Sequence, residues 1–190
     1  MGFLDTLFGR KKLKEASTDR IFALSTARIT METELGLSAA GRAAVRFKPL
    51  SAGAFAQAER DLTELLDSSA RTSGSTIRRE ADEYGFQWIV VEDPDFEDLV
   101  TAVHLVGTEL QANGFGPQLL AALFRFDDEG SSNPVYLVWG YKRGAFWPFV
   151  PSGKEDRDNA RELELKAKLE RELPFEEDLS RWLALYDAPL

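Results

Sequence analysis

From Ala43 to Phe126 the apolar residues of this chain alternate between two spacings, and that order constrains the fold more than any other feature. Ala43–Lys48 sets Val45 and Phe47 between polar neighbours, the period of a half-buried strand, and Pro49 ends it. Ala54–Ala70 puts Phe55, Ala58, Leu62, Leu65 and Leu66 on one helical face. After the loop Arg71–Ser75, two strands, Thr76–Asp82 and Phe86–Glu92, flank a turn at Glu83–Gly85. Pro94 and Asp95 open a helix that runs to Ala112 with Phe96, Leu99, Val103, Val106 and Leu110 inward, and Asn113–Gly114 stops it. Leu119–Phe126 is a strand. The resulting β-α-β-β-α-β order predicts an α+β fold, a two-layer sandwich with helices on one face of an antiparallel sheet and a ferredoxin-like core. The same elements also suit the α+β fold of secretion chaperones (YbjN-like), counted from the helix near residue 20.

Outside that stretch, Arg20–Thr30 reads as a helix and residues 36–42, rich in Gly and Ala, as irregular. Val135–Tyr141 and Ala145–Val150 add two strands, and Asp156–Glu172 a charged amphipathic helix. A short amphipathic piece with Trp182, Leu183, Leu185 and Tyr186 follows Pro174. We divide the chain into an amphipathic segment and linker at 1–19, one α+β domain at 20–173, and an amphipathic extension at 174–190.

At 190 residues with 44% hydrophobic and 29% charged side chains, the chain can bury an ordinary core. Its charge of −9 argues against nucleic acid as a partner, since phosphate binding needs a basic face. The charge is uneven: residues 1–14 set Arg10, Lys11, Lys12 and Lys14 against Asp5 alone, so the rest of the chain is the acidic part. Those bases follow the first apolar patch, the reverse of a secretory signal. No apolar run is long enough to span a bilayer.

Few groups capable of chemistry are present. There is no cysteine, which removes disulfides, thiol nucleophiles and thiolate metal sites, and fits a reducing compartment. The single histidine, His104, lies within an apolar helix and reads as a helix-surface or half-buried side chain. Acidic clusters at Glu92–Asp98 and Asp127–Glu129 lack the spacing of a calcium loop; the first reads as helix capping, the second as a solvated turn. The phosphate-binding glycine motifs, the nucleophile elbow and the zinc-binding helix motif are missing. The sequence therefore predicts no catalytic residue, no metal and no cofactor; an enzyme built on carboxylates, Lys or Tyr is the alternative.

Two features are of the binding kind. In residues 139–149, Trp139, Tyr141, Phe146 and Trp147 crowd a tight hairpin around Lys142 and Arg143, the residue types that dominate protein interfaces. These six are the expected protein contacts, set against the reading that alternate rings are simply core. At the start, Phe3, Leu4, Leu7 and Phe8 share a helical face ahead of Lys11 and Lys12, the pattern of a segment lying in a membrane interface. The competing reading is a helix packed on the body or on a partner. Residues 1–6 also match a myristoylation pattern, which matters only in a eukaryote.

Four segments together resemble the PspAB family of PspA-associated proteins: MGFLDTLFGR at the start, Asn113–Leu120, Tyr141–Phe149, and the pair Arg157–Leu165 with Asp178–Tyr186. The resemblance implies a non-enzymatic interaction component or regulator of a PspA-type, phage-shock membrane-stress response. It implies a PspA-like protein or an HtpX-type membrane protease as partner, and a cytoplasmic location with peripheral contact to the inner face of the cell membrane. It supplies no catalytic residues. A chaperone-like peptide binder, a membrane-surface binder acting through residues 1–14, and a homo-oligomer are the other expectations.

Overall fold

The computed structural model describes residues 18–48, 60, 64 and 74–190. The membrane-contact residues Phe3, Leu4, Leu7, Phe8, Lys11 and Lys12, and the helix expected over 54–70 apart from Arg60 and Glu64, lie outside the described residues.

A short 3-10 turn, Thr18–Phe22, leads into α1 (Ala23–Leu35). Leu24, Ala27, Met31 and Leu35 form its buried stripe. The helix runs five residues past the expected end because no residue before Gly36 breaks it. Gly36 adopts the left-handed conformation and its N–H closes on the Met31 carbonyl. Of residues 36–42, expected to be irregular, all but Gly36 are instead the first half of a long strand, β1 (Leu37–Phe47). A bulge makes this workable. The register against the neighbouring strand shifts between Ala39 and Ala43, and Gly41 sits at φ 67° with its carbonyl accepting the Asp93 N–H. A Cβ at Gly41 would lie 2.9 Å from the Asp93 carbonyl oxygen, so only glycine fits there.

The remaining elements are β2 (Thr76–Ala81), β3 (Gln87–Glu92), α2 (Phe96–Ala112), β4 (Leu119–Asp128), β5 (Val135–Gly140), β6 (Ala145–Phe149) and α3 (Asn159–Leu169). Asp95 caps α2 by accepting the amides of Glu97 and Asp98, and Asp158 caps α3 by accepting that of Arg161. The six strands form one open sheet in the order β2-β3-β1-β4-β5-β6, every pair antiparallel. The chain is therefore α+β, with an antiparallel sheet and helices packed on it. The ferredoxin-like detail turns on the crossover from β1 to β2, most of which lies outside the described residues.

The helices bury one face of the sheet. Ala43, Val45 and Phe47 of β1, Ile89 and Val91 of β3, Ala122, Phe124 and Phe126 of β4, Val135, Leu137 and Trp139 of β5, and Phe146 of β6 pack with Leu24, Met31, Leu99, Val103, Val106 and Leu165. Each large side chain taken out of water here contributes roughly 1.5–3 kcal/mol. Among the described residues, no helix is long and apolar enough to cross a membrane.

Candidate functional site: the second face of the sheet and its cover

Strand alternation sends every other side chain to the opposite face. There Ala44, Trp88, Val90, Ala121, Leu123, Tyr136, Val138, Trp147 and Phe149 form a second buried apolar layer. This explains why β5 reads as an unbroken apolar run: both its faces are covered. The cover on this side is not a helix. It is residues 178–190, irregular apart from a 3-10 turn at Leu179–Arg181, with Trp182 and Leu185 pressed onto the sheet and Ala188 and Leu190 beside them.

Side-chain donors from the body hold this segment by its backbone. Arg157 Nη1 donates to the Trp182 carbonyl at 2.8 Å, and the Trp147 indole donates to the Leu183 carbonyl at 3.0 Å. Arg78 donates to the Pro189 carbonyl at 2.9 Å. The Trp182 indole turns back to the Glu176 carbonyl at 2.9 Å.

Two ionic clusters anchor the arrangement. Arg157 grips Glu162 through Nε at 2.9 and 3.0 Å to its two carboxylate oxygens, and stacks over the Phe149 ring. Glu162 is 1% exposed and also accepts the Val150 amide, so α3, the end of β6 and the covering segment meet at one arginine. At the other end, Arg46 projects from β1 onto the second face, its guanidinium 4.1 Å from the Phe86 ring centroid and 5.0 Å from that of Trp88. It pairs with Asp82 at 2.9 Å and with Asp187 of the cover at 2.7 Å. Burial works to raise the Asp82 carboxyl, but hydrogen bonds from the Trp88 indole, Asp187 and the Phe86 amide, with the charge of Arg46, outweigh it and hold it below the usual range. Asp187 goes the other way, raised by burial and by its contact with Asp82 against the pull of Arg46.

Six side chains of the 139–149 hairpin were expected to contact a partner. Trp139 and Phe146 are fully buried on the helix-covered face, 4.8 Å apart. Tyr141 is buried too, its ring against Gly107 of α2. Trp147 is buried on the second face under the cover. Only Lys142 and Arg143, at the turn, are exposed, and Arg143 lies 3.9 Å from Glu176. Arg181 reaches the same glutamate at 3.4 Å, so the hairpin tip and the start of the cover share one surface. Leu179 and Leu183 of the cover are exposed, while the half-exposed Tyr186 sets its ring edge-on to Phe149, centroids 5.1 Å apart.

The other groups singled out in the sequence have local roles. His104 Nε2 lies 3.7 Å from Asp19 and 3.4 Å from the Thr108 hydroxyl, with its ring 4.8 Å from Phe22. Asp93 is buried, accepting the Ser75 hydroxyl and the Asp95 amide. Asp128, expected in a solvated turn, instead pairs with Arg161 at 3.0 Å, and Arg161 also donates to the Leu35 carbonyl. A wide-open cleft of about 370 Å³ lies between Arg20 and Ala23 on one side and Glu170–Pro174 on the other. Among the described residues, no three acidic or imidazole groups converge as metal ligands would.

Two of the four segments quoted for the resemblance thus meet on the second face: Tyr141–Phe149 through Trp147, and the pair Arg157–Leu165 with Asp178–Tyr186 through Arg157 and the carbonyls that Arg157 and Trp147 engage. The family model described as PspA associated protein B matches residues 1–190. The chain belongs to the PspA associated protein B family. Searches of curated proteins and of solved structures gave no match. In this member of the PspA associated protein B family, Asn113–Leu120 carries the chain from α2 into β4.

Sequence reasoning missed Arg46, Asp82, Asp187, Arg157 and Glu162 as a group. One signal was available: Arg46 sits between Val45 and Phe47 in an apolar strand, where a charge needs a partner if its face is covered.

Proposed function

We propose that this protein acts by binding a PspA-type protein, as a non-enzymatic component of a membrane-stress response, through the hairpin tip and residues 178–190. The match of the PspA associated protein B family over the whole chain carries this reading. The surface supports it: Arg143 and Arg181 both lie against Glu176, Lys142 is exposed next to Arg143, and Leu179 and Leu183 flank Arg181 in the chain and are exposed. Cations beside an apolar centre are the composition of a protein interface. The four hairpin rings then serve by holding the β-turn rigid and by supporting the cover from beneath. A regulatory role, a location at the inner face of the membrane and an HtpX-type protease as a second partner belong to the same proposal and rest on the family alone.

The test is titration of a purified PspA-type protein by calorimetry with wild type and with Lys142→Glu/Arg143→Glu. Binding by wild type and a loss of at least tenfold in the double variant are expected, about 1.4 kcal/mol or more. Equal affinity of the two would remove the hairpin tip from the interface. No binding by either would remove the reading.

A further inference from the structure

Residues 178–190 carry a helical sequence in a non-helical conformation. Leu179, Trp182, Leu183 and Tyr186 stand at i, i+3, i+4 and i+7, one stripe of an amphipathic helix. No glycine or β-branched residue interrupts Leu179–Ala188, Asp178 is already an N-cap to Ser180, and Pro189 follows at the end. Yet the docked segment splits the stripe: Trp182 is buried and Tyr186 sets its ring edge-on to Phe149 of the sheet, while Leu179 and Leu183 face solvent. The reason lies in the backbone. In an α-helix the carbonyls of residues 182 and 183 would accept the amides of 186 and 187. Here those carbonyls are taken by Arg157 and Trp147.

We infer that residues 178–190 are a releasable strap with two states: docked and irregular on the second sheet face, or released and helical against a partner helix. The released helix presents Leu179, Trp182, Leu183 and Tyr186 as a seam of the spacing that packs into a facing helix. A helix this short does not hold alone in water, so it forms only on its partner. Charge selects the partner. The segment carries Asp178 and Asp187 against Arg181 alone, on a chain of net charge −9, so an anionic lipid surface repels it. The complementary partner is a protein helix with an apolar stripe flanked by basic residues. This inference rests on the proposed function for the identity of the partner and goes beyond it in naming the element that moves.

Leu185 and Leu183 separate the two states. Leu185 is buried only in the docked state and lies off the helical stripe; Leu183 is exposed when docked and central to the stripe. Hydrogen exchange on the full-length protein is measured first. In wild type the amides of 182–190 are expected to open separately from those of β1 and β4. Leu185→Asp is expected to speed their exchange at least tenfold without altering β1 or β4; should that variant fail to protect β1 and β4, Leu185→Ala gives the same readout. Exchange of 182–190 at the rate of the sheet in wild type, or no acceleration in the variant, overturns the strap. Binding of a purified PspA-type protein is measured second. Leu185→Asp is expected to bind about tenfold tighter, because the cost of undocking is already met, and Leu183→Asp at least tenfold weaker. If wild type binds and neither variant departs from it, the strap is wrong, residues 178–190 drop out of the interface, and the proposed function rests on the hairpin tip alone. If none of the three binds, the proposed function fails, and the exchange data still decide whether the strap opens.

Discussion

Arg157 and Trp182, 25 residues apart in the chain, are joined by a 2.8 Å hydrogen bond from guanidinium to backbone carbonyl. The same guanidinium holds the buried carboxylate of Glu162. One side chain therefore neutralises a charge in the interior and fixes the cover on the second sheet face.

Arg157→Ala is expected to destabilise the fold by about 3–5 kcal/mol, because it strands Glu162 without its counter-charge. Urea unfolding measures this. Arg157→Ala/Glu162→Gln is expected to recover part of the loss, since the stranded charge is then gone.

The Arg46 cluster responds to pH in two opposed ways. Asp82 is held below its ordinary range, so its contribution is present above the unfolded carboxylate pKa and is lost as pH falls through the folded value. Asp187 is raised, so its contribution is present below the unfolded value and is lost as pH rises through the folded one. Asp82→Asn is therefore expected to cost roughly 1–3 kcal/mol at neutral pH and progressively less in acid. Asp187→Asn is expected to be neutral or stabilising at neutral pH, with that benefit vanishing in acid. Thermal melts of both variants between pH 3 and pH 7 (on the order of one pH unit per step) check the crossing.

Tyr141 is buried with no hydrogen-bond partner for its hydroxyl among the described residues, and burial pushes that hydroxyl well above the usual phenol range. Tyr141→Phe removes a desolvated polar group and keeps the ring. The variant is expected to be as stable as wild type or up to about 1 kcal/mol more stable, read by thermal unfolding. It is also expected to bind a PspA-type protein with unchanged affinity, since the side chain is inside the fold.

Glycine to alanine inside a helix ordinarily stabilises by close to 1 kcal/mol. At Gly107 of α2 the sign is expected to reverse, because a Cβ would lie 2.7 Å from Tyr141 Cε1. Gly107→Ala is expected to cost about 1–3 kcal/mol through overpacking of α2 against the end of β5. Gly107→Ala combined with Tyr141→Leu is expected to regain most of that loss in the same unfolding assay.

The elements were largely legible. The α2 boundaries follow from Asp95 as cap and Asn113–Gly114 as stop, and the sheet strands follow from alternation. The stretch 36–42 was not legible, because Gly and Ala look irregular until the Gly41 bulge places both halves of β1 in the ladder. The hairpin rings misled for a related reason. Alternation shows that Trp147 and Phe146 point to opposite faces, but it does not show that both faces are covered.

By itself, the amino-acid sequence determined the α+β class, most of the described strands and helices and the lack of any cysteine, because these depend on side-chain periodicity and on which residue types are present. Tertiary structure alone decided that residues 178–190 lie across the second sheet face and that Lys142 and Arg143 are the hairpin residues left to solvent. The physical reason is distance along the chain. Local spacing says which side chains share a face, whereas the group that covers that face or pairs with a charge on it, as Asp187 does with Arg46 from 141 residues away, is chosen only when the chain closes on itself.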